Sequence, residues 1–401
     1  MPPAAARPDT ATAASHAATT AASHAATTAA THAATRPTAR NFRRRPLSHA
    51  RMPLPRRRLL AGLACLPLCG CERADATTAT TATAATAATA ATAASPPVRW
   101  QDALGPLDDV NLAVRPAFTD AHDFAALPEP GPRSWRTLRP EPPQSVEEFR
   151  NSGPNLRRPP RDRLALLPLG RFPFEVIVGA DLVGLVRSPP LHALAAALAA
   201  FFATPVVRLP ARPFPETAVP RRLAAGHHQY DARALLAHIA GALPPDAHAM
   251  LALVNLDLYV WSEQHYAFGW STLRERLGVV GFSRFDPSFH GGVAPDDLAG
   301  TILRRSLRIA VHETGHLYGM GHCQAFQCAM NGIADVAELD ATPLHLCPLC
   351  LRKLHLVAPF DPRVRDRELL RVFAALGLHD ESRWLARRAH RLWHYDPAPP
   401  P

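Results

Sequence analysis

At 401 residues the chain is long enough for roughly one to three domains. Its 42 prolines and long Ala/Thr tracts nevertheless keep much of it out of any packed core. The formal charge of +10 sits almost wholly in residues 1–71, where ten arginines face one acid, Asp9; the remaining 34 basic and 33 acidic residues nearly cancel, so no nucleic-acid partner is expected.

Residues 1–51 carry an octapeptide repeat, SHAATTAA at 15–22 and 23–30 and then THAATRPT at 31–38, which reads as a low-complexity extension without a fold. Met52 opens MPLPRRRLLAGLACLPLCGC, with three arginines (Arg56, Arg57, Arg58), a short apolar run and Leu68-Cys69-Gly70-Cys71 at its end. That is the layout of a secretory signal peptide over 52–71, and it resembles a bacterial lipobox with Cys71 as the lipidated residue. An apolar run of about eleven residues is too short for a bilayer span, which needs about twenty. Translation from Met52, export to a bacterial cell envelope and a lipid anchor at Cys71 are therefore expected, a cytoplasmic protein being the alternative. Residues 72–97 form an Ala/Thr linker. The Pro- and Arg-rich segment 98–162 is expected to wrap the domain with little regular structure.

A folded domain is expected over 163–355. LALLPLG (164–170) reads as a first strand, and Ser188-Pro189 as the cap and start of an Ala-rich helix through 192–202. VVRL (206–209) is a short strand, and DARALLAHIAGAL (231–243) a helix with Leu235, Leu236 and Ile239 as its core stripe. The apolar run 250–260 predicts one buried central strand, followed by strands at 266–270 and 278–283. Asp296 and Asp297 favour the start of a long helix whose Leu303, Leu307 and Ala310 form a buried stripe. Two further helices, 365–377 and 380–393, belong to a C-terminal cap over 356–401 that ends in a proline-rich tail.

The chemistry concentrates between His312 and Cys350. His312 and His316 lie one turn apart on one helical face, so both imidazoles can reach one zinc. Gly319 lets the chain leave the helix and turn His322 back as a third ligand. Three neutral nitrogens leave a coordination position for water, the open arrangement of catalytic zinc, and Glu313 is the candidate base for that water. Cys323, Cys328, Cys347 and Cys350 form two short-spaced pairs suited to a closed structural zinc, with disulfides or buried free thiols as the alternatives. The other three cysteines, Cys65, Cys69 and Cys71, sit in the N-terminal apolar run and leave no disulfide framework for the domain. Met330 is most simply core packing. His227, His228, His265, His290, His345 and His355 read as surface or core residues, although His345 and His355 lie near enough to the C-x-x-C to replace a cysteine.

H-E-x-x-H-x-x-G-x-x-H followed by C-x4-C-x-M and a later C-x-x-C resembles the archaemetzincins (archaelysins), a metzincin-clan family of zinc metallopeptidases. HHQYDARALL (227–236), LVNLDLYV (253–260) and YAFG (266–269) add to the likeness, which covers roughly residues 163–355. The resemblance implies an α/β fold, a metzincin-like mixed sheet with an active-site helix, followed by a small four-cysteine zinc subdomain and C-terminal helices. It implies two zinc ions, a catalytic one on His312, His316 and His322 and a structural one on the four cysteines. It further implies Glu313 as general base, Met330 as the Met-turn residue, and the 266–270 edge as the strand that pairs with extended substrate. No tyrosine closely follows Met330, so a tyrosine zinc ligand is not expected. The expected protein is a monomeric peptidase of peptide or protein substrates, whether endopeptidase or aminopeptidase. Its alternative is a non-catalytic zinc-containing peptide-binding or interaction protein.

Overall fold

The computed structural model describes residues 99–172, 187–263 and 265–394. The octapeptide repeat, the signal-like stretch 52–71 with Cys71, the Ala/Thr linker and the proline tail lie outside these residues. Among the described residues, no helix is long and apolar enough to cross a membrane.

The Pro- and Arg-rich segment has more regular structure than its composition suggests. Short helices α1 (Trp100–Leu104), α2 (Pro116–Thr119), α3 (Trp135–Leu138) and α4 (Val146–Asn151) punctuate it. Phe118 and Phe149 are fully buried anchors on α2 and α4. α4 is started by a capping box: Ser145 Oγ accepts from the Glu148 amide while Glu148 accepts from the Ser145 amide. That S-x-x-E signal was present in the sequence and outweighs the surrounding prolines.

β1 (Arg163–Leu169) enters the sheet, and α5 (Leu191–Phe202) returns the chain to β2 (Val206–Arg208), parallel to β1. The expected Ser188 cap is not made: Pro190 holds the cap position, and the Ser188 hydroxyl is buried without a partner among the described residues. β3 (Arg221–Ala224) and β4 (His227–Asp231) form an antiparallel hairpin turning at Ala225 and Gly226, both with positive φ. Asp231 then caps α6 (Ala232–Ile239), accepting from the amides of Arg233 and Ala234.

The apolar run 250–260 is two strands, not one. β5 (Ala247–Val254) is central in the main sheet, whereas β6 (Asp257–Tyr259) pairs with β4 in a second sheet. The switch is anchored by Asp257, a buried carboxylate that accepts bidentate bonds of 2.6 and 2.7 Å from Arg284 and one of 2.9 Å from Gln229. The next strand is also displaced from its expected position. Ala267 bridges to Leu258 in the second sheet, and only from Gly269 does the chain join the first, as β7 (Gly269–Thr272) antiparallel to β8 (Leu277–Gly281).

The main sheet has the order β2-β1-β5-β8-β7, parallel except for the edge strand β7. Alternation along β1 sends Leu164 and Leu166 into one core, and Ala165, Leu167 and Leu169 into the other. α5 and the long helix α7 (Leu298–Leu317) cover the first face, and α6 belongs to the second. Asp297 caps α7 through the Gly300 amide at 2.9 Å, and Leu303, Leu307 and Ala310 are buried as predicted. Each such leucine contributes about 1.5–3 kcal/mol on leaving water.

Beyond α7 come α8 (Val336–Ala341), α9 (Pro348–Val357), α10 (Pro362–Ala375) and α11 (His379–Trp393). The last helix does more than cap the end of the chain. Arg388 donates to the backbone oxygens of Ala117 and Asp120, and Arg391 pairs with Asp120 and Asp123, so α11 fastens the N-terminal segment.

Candidate active site

α7 delivers the first two histidines at its C-terminal end, buried on one face. The helix stops at Leu317, and Gly319 makes the exit with φ +98° while a Cβ there would press on Pro154. The turn brings His322 back, so that one ligand atom from each of His312, His316 and His322 lies within 4.8 Å of the others.

The imidazoles are oriented by what their Nδ1 atoms meet. His312 Nδ1 is 3.1 Å from the Ala329 carbonyl, and His316 Nδ1 is 2.7 Å from the Met320 carbonyl. A carbonyl only accepts, so both Nδ1 atoms carry the proton and both Nε2 atoms present lone pairs. Those two Nε2 atoms stand 3.0 Å apart, lone pair facing lone pair. Such an arrangement is repulsive until a cation lies between them. Two nitrogens about 2.0–2.1 Å from one tetrahedral ion would be about 3.3 Å apart, so the pair fits zinc. Burial keeps both rings neutral and ready to ligate: His316 is pushed down to about 3, and His312 lies well below its ordinary range.

His322 Nδ1 is 2.6 Å from Glu141 Oε2, which leaves its Nε2 for the same cation. The bond from His322 holds the Glu141 carboxyl below the usual carboxylate range. Trp135 completes the surround, its ring edge-on to His322 at 5.0 Å and its Nε1 3.3 Å from Glu141 Oε1.

Glu313 faces the edge strand. Its Oε2 accepts from Ser271 Oγ at 2.7 Å, and a Cβ at Gly269 would fall 2.6 Å from Oε1. Burial pushes this carboxyl up to about 7, against the opposing hydrogen bond from Ser271. A carboxyl poised there can exchange protons near neutral pH. Met330 lies fully buried beneath the histidines, and any side chain at Gly315, on the turn between His312 and His316, would overlap its sulfur.

The four cysteines converge as a second cluster, fully or nearly fully buried and within 4.8 Å of one another. Cys323 Sγ and Cys347 Sγ are 3.6 Å apart, far from the roughly 2.05 Å of a disulfide and near the roughly 3.8 Å expected of two thiolates on one tetrahedral zinc. Hydrogen bonds from Cys328, Cys347 and Cys350 hold the Cys323 thiol well below its ordinary value. Burial raises Cys347, and donation to Cys323 raises Cys350. A divalent cation among the four sulfurs would favour their thiolate forms. His345 instead stacks on Trp384 at 3.9 Å and His355 lies against Phe118 at 5.1 Å, so neither joins the cluster. Tyr318 is buried and bonded to Thr204 at 2.9 Å, a packing residue.

Residues 251–356 match the family model described as Peptidase family M54. Archaemetzincin-2 of Pongo abelii is 27% identical over 282 residues, covering 64% of this chain and 76% of that protein. Archaemetzincin-1 of Mus musculus is 30% identical over 267 residues, covering 59% and 51%. The matched stretch holds all three histidines and all four cysteines, and it is this part of the chain that is similar to the archaemetzincins. An archaemetzincin crystal structure from Archaeoglobus fulgidus, complexed with malonate, is 24% identical and covers 48% of this chain and 99% of its own, with a TM-score of 0.35. In this chain the motif residues singled out in the sequence come together as two clusters, three histidines and four cysteines. Glu141, Trp135 and Ser271, which surround the histidine cluster and its glutamate, carried no signal in the sequence because each reaches it from a remote loop, helix or strand.

Proposed function

We propose that this protein is an archaemetzincin that hydrolyses peptide bonds with Glu313 as general base, a catalytic zinc on His312, His316 and His322, and a structural zinc on Cys323, Cys328, Cys347 and Cys350. The observation that carries the reading is the pair of opposed Nε2 lone pairs 3.0 Å apart, beside a buried carboxyl raised to about 7. When bound, zinc supplies Lewis acidity, polarising a carbonyl and drawing the pKa of water toward about 7. Glu313 takes the proton of the attacking water at Oε1, the oxygen Ser271 does not hold, and passes it to the leaving amine. Ser271 fixes the carboxylate, and Met330 supports the helix turn that carries both histidines. The substrate lies extended along β7, whose residues Gly269–Thr272 form the half-exposed edge of the main sheet. The protein acts as a monomer, and residues 52–71 export it with a lipid anchor at Cys71; an acylated N-terminal peptide in mass spectrometry tests the anchor.

The test of function is metal analysis of the full chain beside cleavage of a peptide library, for parent and Glu313→Gln. We expect two zincs in both proteins and at least about 100-fold slower cleavage by the variant. Cleavage of N-terminally blocked peptides assigns an endopeptidase, and cleavage of free-amine peptides alone an aminopeptidase. Two zincs with peptide binding but no cleavage would overturn hydrolysis in favour of a non-catalytic peptide-binding protein.

A further inference from the structure

His322 differs from the other two histidines in what holds it. His312 and His316 are fixed by α7 and by carbonyls of the following loops, all within residues 298–330. His322 stands on Gly319-Met320-Gly321, a stretch without helix or strand, and its Nδ1 partner is Glu141, 181 residues away in sequence. The same remote loop grips the backbone of that stretch. Gln144 Oε1 accepts from the Gly321 amide at 3.0 Å, and Gln144 Nε2 donates to the Gly319 carbonyl at 3.4 Å. Gln144 is itself held, because Lys353, the single lysine of the chain, reaches its Oε1 at 3.0 Å and its backbone carbonyl at 2.5 Å. Lys353 sits on α9, in the turn after Cys350, so the strap is pinned to the cysteine subdomain as well as to the histidine.

From this we infer that Glu141 is a positioning residue for the metal. Its carboxylate fixes the ring angle and tautomer of His322, so that Nε2 rather than Nδ1 faces the cation, and its negative charge offsets part of the cation's. The Pro- and Arg-rich segment 98–162 is thereby a structural part of the metal centre, supplying the partner that orients the third ligand. Glu141 cannot be a ligand in this geometry, since it occupies the opposite side of the imidazole from Nε2. Trp135 limits the freedom of the carboxylate by donating to Oε1, which leaves Oε2 for the imidazole. Partners of this kind on metal-bound histidines change metal affinity about 10- to 100-fold when removed.

The inference rests on the proposed histidine site, but its test does not depend on hydrolysis. Zinc affinity at the two sites of the full chain is measured by chelator competition for the parent, Glu141→Ala and Glu141→Gln, with thermal unfolding of each protein alongside. The expected result is one zinc held about 10- to 100-fold more weakly in Glu141→Ala, the other unchanged, and the same fold. Glu141→Gln can still accept from His322 but loses the charge and the bond from Trp135, so its affinity should fall between those of parent and Glu141→Ala. Replacing zinc with cobalt gives an independent readout: the electronic spectrum of the nitrogen-bound ion should change in Glu141→Ala while the thiolate-bound spectrum does not. Affinity within about twofold of the parent in Glu141→Ala overturns the inference, as does parallel loss of both metals with a collapsed melting transition. A parent that takes up one metal only, on its cysteines, overturns the histidine site itself.

Discussion

The cysteine loop is organised by a residue of its own, whereas the third histidine and the adjacent glutamate take their partners from across the chain. Asn331 organises the cysteine loop: its Oδ1 accepts from the Cys328 amide at 2.7 Å, and its Nδ2 donates to the carbonyls of Cys323 and Phe326. Cys347 heads α9, and its amide points at Cys328 Sγ at 3.3 Å. On the histidine side, His322 instead depends on Glu141 and on Pro154 behind Gly319, and the neighbouring Glu313 on Ser271 across the sheet edge. A closed site can be local because its ligands complete the coordination and nothing else must approach. An open site has to leave room for substrate, so its rigidity comes from elements placed around the gap.

The largest effect separating the two clusters should come from Cys347→Ala. Structural zinc contributes on the order of 10 kcal/mol in small metal-dependent folds, so this variant should lose one zinc and melt far below the parent in a calorimetric scan. If it kept its melting temperature, the cysteine cluster would not be the stabilising member of the pair.

Gly315→Ala addresses the histidine side. The added methyl overlaps Met330 Sδ, with its terminal methyl 2.8 Å away, and overpacking of this kind costs about 1–3 kcal/mol. We expect weaker zinc at the histidines with cysteine zinc intact; denaturant midpoints and metal counts check both halves.

The smallest effect is a pH dependence beneath α7. His248 is buried against Tyr318, rings stacked at 4.5 Å, and burial, with Arg276 adding to it, pushes its pKa from 6.5 down to about 4. The backbone contact to Leu156 acts the other way, and Arg157 and Arg161 reinforce the depression. As pH falls below 6.5 the unfolded chain takes up this proton first, so stability present above 6.5 is lost between 6.5 and about 4. Relative to His248→Phe, the parent should lose about 1 kcal/mol between pH 7 and pH 5.5 in chemical denaturation. Equal losses in the two proteins would mean that His248 carries no titration into the foot of α7.

The clusters were legible in the sequence because their spacing is local: one helical turn between His312 and His316, and short loops between paired cysteines. What surrounds them was not. Glu141 lies in RPEPPQ, a stretch with no periodicity, and its meaning appears only when folding brings it to His322. The fold divides the same way. β1, α5, α7 and the C-terminal helices follow from apolar patterning. The hairpin of β3 and β4 hides behind Arg221, Arg222, His227 and His228, which give no apolar alternation. The break between β5 and β6 was masked because Asp257 sits in an otherwise apolar run, and its partner, Arg284, comes from beyond β8.

His322 and Cys323 are consecutive, so a single peptide link joins nitrogen chemistry to sulfur chemistry, and the Cys323 amide is tied back to the Met330 carbonyl at 2.7 Å. Slack introduced on the sulfur side has nowhere to dissipate before it reaches the imidazole. Any change in the cysteine loop is therefore felt one residue away, at the imidazole that completes the histidine cluster.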